Sequence, residues 1–332
     1  MYILLEKLFQ AQNLSKLESY QLFKAIINGQ LNETQLSGAL IAMKVRGETQ
    51  EEIFGAVNAL LDNVKTFNRP EYDFADIVGT GGDSIKTINI STASSLVAAA
   101  CGVKIVKHGG KSTSDNFGSS EILKSLGINL NISSNKAREI LDDLNICFLS
   151  ASKYHTGFYH AIKVRQRLKT RTIFNILGPL VNPARPSLTV IGVYSTKLLR
   201  PIINILKILK YRHAIVVHGG GMDEVILYDI NHIAELHKGN ITFYHLTHKD
   251  FGFELQPKGL LNINTPEENH NNFMKLIRGK GDKSHEETVA ANVAMILKVF
   301  GNKNLHDNAQ YALKVIKSGK VYELLSSLLS RG

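Results

Sequence analysis

Past Pro70 the chain alternates short apolar runs with longer stretches of helical periodicity, and this alternation restricts the fold more tightly than anything else in its 332 residues. Phe74 to Val78, Val103 to Lys107, Ile146 to Leu149, Leu188 to Val193, Ala214 to His218 and Val225 to Tyr228 read as strands. Most are apolar almost throughout, as strands covered on both faces are, and parallel neighbours need a crossover of a dozen or more residues. Helical segments fall between most of them, so the pattern predicts a largely parallel sheet covered by helices. Glu267 to Ile277, Glu286 to Phe300 and Asn308 to Ile316 are amphipathic helices by their spacing, with the polar stretch Asp282 to Glu287 expected as a connecting loop.

The first 65 residues have a different character. Ser15 before Glu18, Asn32 before Gln35 and Thr49 before Glu52 each place a capping oxygen three residues ahead of a Glu or Gln. Behind these caps, Leu36, Leu40 and Ile41, and Ile53, Val57, Leu60 and Leu61, give each helix one buried stripe. A small all-helical domain follows.

Lys and Arg number 39 against 29 Asp and Glu, a formal +10 that admits nucleic acid as a partner. The excess is local: residues 1–70 carry seven of each sign, whereas between Asp143 and Asp223 there is no acid and there are twelve Lys or Arg. Such a segment is either a solvated basic face or an anion-binding wall. The apolar runs, such as Leu96 to Cys101, fall far short of the ~18 residues of a spanning helix, and Glu6 and Lys7 interrupt the N-terminus, so no membrane association or signal peptide is expected. Cys101 and Cys147 lie in apolar surroundings and read as buried free thiols, which suits a cytoplasmic chain.

Two loops carry chemistry. The first predicted strand ends in Gly79-Thr80-Gly81-Gly82-Asp83, and a helix starts about ten residues later near Ser91 and Thr92. Glycines let backbone N–H groups close around an anion, while Thr87, Asn89, Ser91 and Thr92 add donors at a positive helix end. The sequence is neither a Walker A motif nor GxGxxG running straight into a helix. The second strand ends in Lys107-His108-Gly109-Gly110-Lys111-Ser112-Thr113-Ser114, ahead of a helix near Gly118 to Ser120. Both loops would face one crevice at the carboxyl ends of the strands, which suggests a ligand with phosphates at both ends. His108 has no evident nucleophile or metal partner and reads equally as a solvated loop histidine. Farther on, Asp223 and Glu224 follow an apolar strand and three glycines, an oxygen-rich pair suited to magnesium shared with phosphates, or else a turn stabilised by Asp.

GTGGD followed by NIST, KHGGKS, RTIFNILGPLVNPARP at 171–186 and VVHGGGMDEV at 216–225 together resemble the anthranilate phosphoribosyltransferase family, in order and over nearly the whole chain. RTIFNILGPLVNPA is specific to that family and its close relatives, whereas GTGGD is shared with a superfamily that includes pyrimidine nucleoside phosphorylases. The resemblance implies magnesium-dependent transfer of the phosphoribosyl group of 5-phosphoribosyl 1-diphosphate (PRPP) to anthranilate, the second step from chorismate to tryptophan. Gly79, Gly82, Asp83, Thr87, Asn89, Ile90, Ser91 and Thr92 would hold PRPP with Lys107, His108, Gly109, Gly110, Lys111, Ser112, Thr113, Ser114, Asp115 and Ser119. Ser91, Asp223 and Glu224 would hold magnesium, two ions per subunit with PRPP bound. Anthranilate would meet Arg165 through its carboxylate, with Gly79, His108, Gly110 and Tyr159 around it. No residue is assigned as acid or base, because positioning and magnesium suffice.

The family usually reads Lys-His-Gly-Asn-Arg where this chain has Gly110 and Lys111, with Asn116 where a lysine is common. Gly110 offers only its backbone, so weaker anthranilate binding is expected. The expected architecture is α/β, of the nucleoside phosphorylase/phosphoribosyltransferase type: a helical domain, residues 1–69, joined by helices near 157–180, beside an α/β domain, 70–332. The resemblance also implies a homodimer through the helical domain, with association with a glutamine amidotransferase of anthranilate synthase left open. A phosphorylase would use free phosphate without magnesium, against which Asp223-Glu224 and RTIFN argue. A degenerate nucleic-acid-binding relative would not have kept GTGGD, NIST and Asp223-Glu224, so no nucleic acid is expected as a partner.

Overall fold

The computed structural model describes residues 1–81, 87–110 and 118–331. Four helices open the chain: α1 (Tyr2–Phe9), α2 (Lys16–Ile27), α3 (Glu33–Arg46) and α4 (Gln50–Asp62). Ser15, Asn32 and Thr49 close the reciprocal capping boxes that their spacing predicts. The chain continues through β1 (Ala75–Gly79), α5 (Ile90–Ala100), β2 (Ile105–Gly109), α6 (Ser119–Ser125), α7 (Ser134–Leu144), β3 (Ile146–Ser150) and α8 (Ala151–Tyr154). It then forms α9 (Tyr159–Leu168), α10 (Ile173–Leu177), β4 (Leu188–Gly192), α11 (Leu199–Ile208) and β5 (His213–Gly219). The hairpin β6 (Asn231–His237) and β7 (Asn240–Leu246) precedes α12 (Pro266–Ile277), α13 (Lys283–Val299), α14 (Leu305–Lys317) and α15 (Lys320–Leu329).

The seven strands form one sheet in the order β3-β2-β1-β4-β5-β6-β7. The first five are parallel and the last two antiparallel. Chain order runs outward from β1 to β2 and β3, then returns to β4 and β5 on the other side. The reversal places a topological switch point between β1 and β4, where open sheets of this kind bind ligands beyond the carboxyl ends of their strands. One face of the sheet is buried against α5, α13, α14 and α15. Residues of the opposite face, such as Ile191 and Val216, share a core with α11, with α1 to α4, and with α9 and α10.

Two expectations are corrected. Val225 to Tyr228 is not a strand, because its backbone groups bond side-chain amides instead of a sheet neighbour. Asn292 bonds both the N–H and the carbonyl of Val225, and Asn231 does the same for Ile226. Asp282 to Glu287 is not a loop either: α13 starts at Lys283, and His285, Glu286 and Glu287 are buried in its first turns. Polar residues made this stretch look solvated, but Glu286 accepts from the Gly281 N–H and pairs with Lys317.

Candidate functional site

The crevice is built where β1 and β4 lie in register, Gly79 opposite Gly192. Asp223 is wedged against both. A β-carbon on Gly79 would stand 2.3 Å from the Asp223 carboxylate, and one on Gly192 would stand 1.5 Å from the Asp223 carbonyl, so neither position accepts a side chain. Delivery of Asp223 depends on the preceding glycines. Gly220 (φ +52) and Gly221 (φ +93) form a left-handed two-residue turn, closed by hydrogen bonds in both directions between Gly219 and Met222. The turn returns the chain over the end of β5, and Asp223 Oδ2 accepts the Gly81 N–H at 2.6 Å.

Near the Asp223-Glu224 pair lies a buried lysine. Lys107 on β2 donates from Nζ to the Ile77 carbonyl at 2.6 Å and reaches Ser91 Oγ at 3.5 Å. Burial pulls its pKa down, and the charges of Asp76 and Glu224 oppose that pull. Lys107 therefore ties Ser91 to the neighbourhood of the Asp223-Glu224 pair, the three groups assigned to metal. Ile90 and Thr92 are buried in the first turn of α5, Asn89 is its N-cap, and Thr87 pairs with Asn262 in an isolated bridge. Gly109 ends β2, and the Ser119 hydroxyl donates to the Gly110 carbonyl at 3.4 Å, holding the start of α6 against the second loop. Gly82, Asp83, Lys111, Ser112, Thr113, Ser114 and Asp115 lie outside the described residues.

On the far wall the side chains are aromatic. His108 lies on β2 itself, buried, 5.3 Å from the ring of His155, which stacks on Phe158 at 4.8 Å. Phe158 meets Phe174 edge-on at 5.6 Å, and the Arg165 guanidinium lies 5.2 Å over the Phe174 ring. Arg165 forms no hydrogen bond or salt bridge with any described residue, and burial alone lowers its pKa to about 10. It is therefore charged at neutral pH, half-desolvated and unpaired, a state that an incoming carboxylate relieves. His108 Nε2 is likewise buried without a partner. Tyr159 stands exposed on the first turn of α9, its ring edge-on to His160.

Several residues of the site carried no signal of their own in the sequence. Asp76, buried on β1, accepts from the Asn182 amide at 2.8 Å and from the His108 N–H at 3.4 Å, joining the first loop's strand to the second's. Thr80 accepts the Tyr194 N–H through its hydroxyl, and its carbonyl accepts from the Asn175 amide. Asn175 and Asn182 do fall inside the RTIFN and LVNPA runs, the one available pointer. His155 donates toward the Val181 carbonyl at 2.7 Å and has no motif around it.

The two ring histidines give the site a pH signature. Burial lowers His155 to about 4 and holds His108 well below the ordinary range. Both are neutral in the folded protein at pH 7. Because the unfolded value is near 6.5, the unfolded chain takes up protons first. The stability contributed by a neutral buried His155 is complete above about pH 6.5 and drains away as pH falls toward 4, where the loss is on the order of 3 kcal/mol. The melting temperature is expected to fall across that window, and a His155→Leu variant to fall less steeply; equal slopes would mean that His155 does not stay neutral.

A helical bundle beside a sheet whose switch point gathers a buried lysine and adjacent carboxylates matches a family of glycosyl transferases. Residues 2–64 match the model of a glycosyl transferase family, helical bundle domain, and residues 71–322 that of its a/b domain. Anthranilate phosphoribosyltransferase of Erwinia tasmaniensis is 57% identical over 332 residues, all of both chains. The crystal structure of the Thermus thermophilus anthranilate phosphoribosyltransferase superposes with a TM-score of 0.90 at 32% identity, covering 99% of this chain and 98% of that one. The Saccharomyces cerevisiae enzyme in complex with PRPP and Mg superposes with a TM-score of 0.87 at 27% identity, covering 98% and 96%. The chain belongs to the anthranilate phosphoribosyltransferases.

Proposed function

We propose that this enzyme transfers the phosphoribosyl group of PRPP to the amino group of anthranilate, releasing diphosphate, in the tryptophan branch from chorismate. The observation that carries the acceptor is Arg165, an unpaired, desolvated cation over an aromatic ring, complementary to an aromatic carboxylate. The donor side rests on the Gly79 loop, Lys107 and the α5 N-terminus. The yeast enzyme has been solved with PRPP and Mg and with 4-fluoroanthranilate, which supports both halves of the reading.

The residues account for the chemistry with little proton transfer. An arylamine is neutral and nucleophilic at pH 7, and neutral His108 and His155 leave it so. The bond from C1 of ribose to diphosphate breaks as the bond to the amine nitrogen forms, and the amine proton then leaves to solvent. Arg165 fixes the acceptor by its carboxylate while Lys107 and backbone N–H groups hold the donor's anionic end, so catalysis comes from placement and electrostatics. Asp223, Glu224 and Ser91 suit magnesium: hard oxygen donors, incomplete by themselves as a cage, as fits an ion that shares its shell with water and phosphate. Bound there, magnesium would neutralise charge on the departing diphosphate. Two ions per subunit is our reading of the occupancy with PRPP.

We read residues 1–69 with the helices near 157–180 as one domain and 70–332 as the other. A homodimer through the helical domain fits its exposed apolar residues: Tyr2, Ile3 and Phe9 on α1, Leu17 on α2 and Val45 on α3. No helix among the described residues is long and apolar enough to cross a membrane, and Cys101 and Cys147 are free thiols, which suits the cytoplasm. Association with a glutamine amidotransferase belongs to the same reading.

Loss of anthranilate fluorescence on adding protein, PRPP and magnesium, abolished by EDTA, tests the proposal. No loss, with PRPP still bound by calorimetry, would shift the acceptor to another aromatic amine. Gly110→Asn is expected to lower the anthranilate KM several-fold by supplying a side-chain amide. Its β-carbon would meet Ala151 Cβ at 3.3 Å, a contact that a small relaxation accommodates. An unchanged or higher KM would remove Gly110 as the cause of weak acceptor binding.

A further inference from the structure

We propose that Asn269, on α12 and 180 positions from Asn89 in sequence, is a positioning residue for the donor site, fixing the Asn89 amide. The inference rests on Asn89 belonging to that site. Asparagine at an N-cap ordinarily turns its side-chain oxygen onto the first N–H groups of its own helix. Asn89 occupies the N-cap of α5 and makes no such bond. Its Oδ1 instead accepts from Asn269 Nδ2 at 2.6 Å.

Stability does not explain Asn269. The buried positions of α12 are Asn269, Phe273, Leu276 and Ile277, so the asparagine sits at i of an i, i+4, i+7, i+8 apolar stripe. It is 3% exposed, and its Oδ1 is buried with no hydrogen-bond partner. An orphaned buried acceptor is a standing cost, and an apolar residue in this slot would avoid it. What the asparagine gains is one short bond to a residue of the donor loop. The same segment grips that loop a second time, where Asn262 pairs with Thr87. Thr265 caps α12, and Pro266 opens it with a fixed φ, so Asn269 is delivered from a rigid helix start, while Asn262 grips from the segment just before it.

The test is Asn269→Leu, with Asn269→Ala as the smaller variant should leucine not fit. Expected is a melting temperature equal to or above the parent's together with a three- to tenfold rise in the PRPP KM, and in its Kd by calorimetry with magnesium, at unchanged anthranilate KM. In an Asn89→Ala background the Asn269 substitution should add nothing further. A lower melting temperature with unchanged PRPP KM would make Asn269 structural and overturn the proposal. Asn89→Ala without effect on PRPP would overturn the donor-site assignment beneath it; an effect of Asn89→Ala but none of Asn269→Leu would overturn this inference alone.

Discussion

The Asp223→Ala, Glu224→Ala double variant is expected to turn over roughly 10³-fold more slowly than the parent at saturating magnesium, and to lose its response to EDTA. Both carboxylates are presented by the Gly220-Gly221 turn; the backbone of Asp223 packs against Gly192 and survives truncation, while its carboxylate packs against Gly79. What is lost locally includes the acceptor of the Gly81 N–H and the negative charge that Glu224 sets against the buried Lys107. The Gly81 bond alone is worth about 1 kcal/mol, so the melting temperature should fall. Removing two negative charges also lessens repulsion of an anionic donor, so PRPP should still bind when magnesium is absent. Turnover followed by anthranilate fluorescence across a magnesium titration checks this. A variant that keeps metal-stimulated turnover would mean that other groups hold the ion.

The parallel part of the sheet was legible because apolar runs bounded by glycine loops report a strand buried on both faces. β1 to β5 each fall within a residue or two of the expected ranges. The antiparallel hairpin was not, because β6 and β7 mix histidine, asparagine and glutamate with apolar residues, and the buried ones find partners across the sheet. Glu235, for instance, bonds His213, Tyr244 and Lys298. Conversely, Val225 to Tyr228 has a strand's composition, but side-chain amides from Asn231 and Asn292 take the hydrogen bonds a neighbouring strand would need. In the site, loops whose glycines must let the backbone approach an anion announce themselves by local spacing. Asp76, Thr80, Asn182, Gly192 and Asn269 do not, because each matters through a contact dozens of residues away that no local pattern encodes.

Arg165→Leu is expected to raise the anthranilate KM on the order of 10²-fold while leaving the PRPP KM near the parent's. The carboxylate of a bound acceptor would then lie among Phe158, Phe174, His108 and His155 with no cation, and both histidines, held neutral by burial, cannot supply one. Arg165→Lys should recover part of the affinity, since an ammonium keeps the charge but not the planar two-pronged donor. Stability separates this role from a structural one. Arg165 loses no hydrogen bond or ion pair to a described residue, and leucine keeps apolar contact with the Phe174 ring while removing a desolvated charge, so it should match or exceed the parent in melting temperature. A structural arginine would give the reverse, a lower melting temperature with the anthranilate KM intact. Equal losses for both substrates would mean that Arg165 serves closure of the crevice rather than recognition of the acceptor, and would reopen the identity of the group that meets the carboxylate.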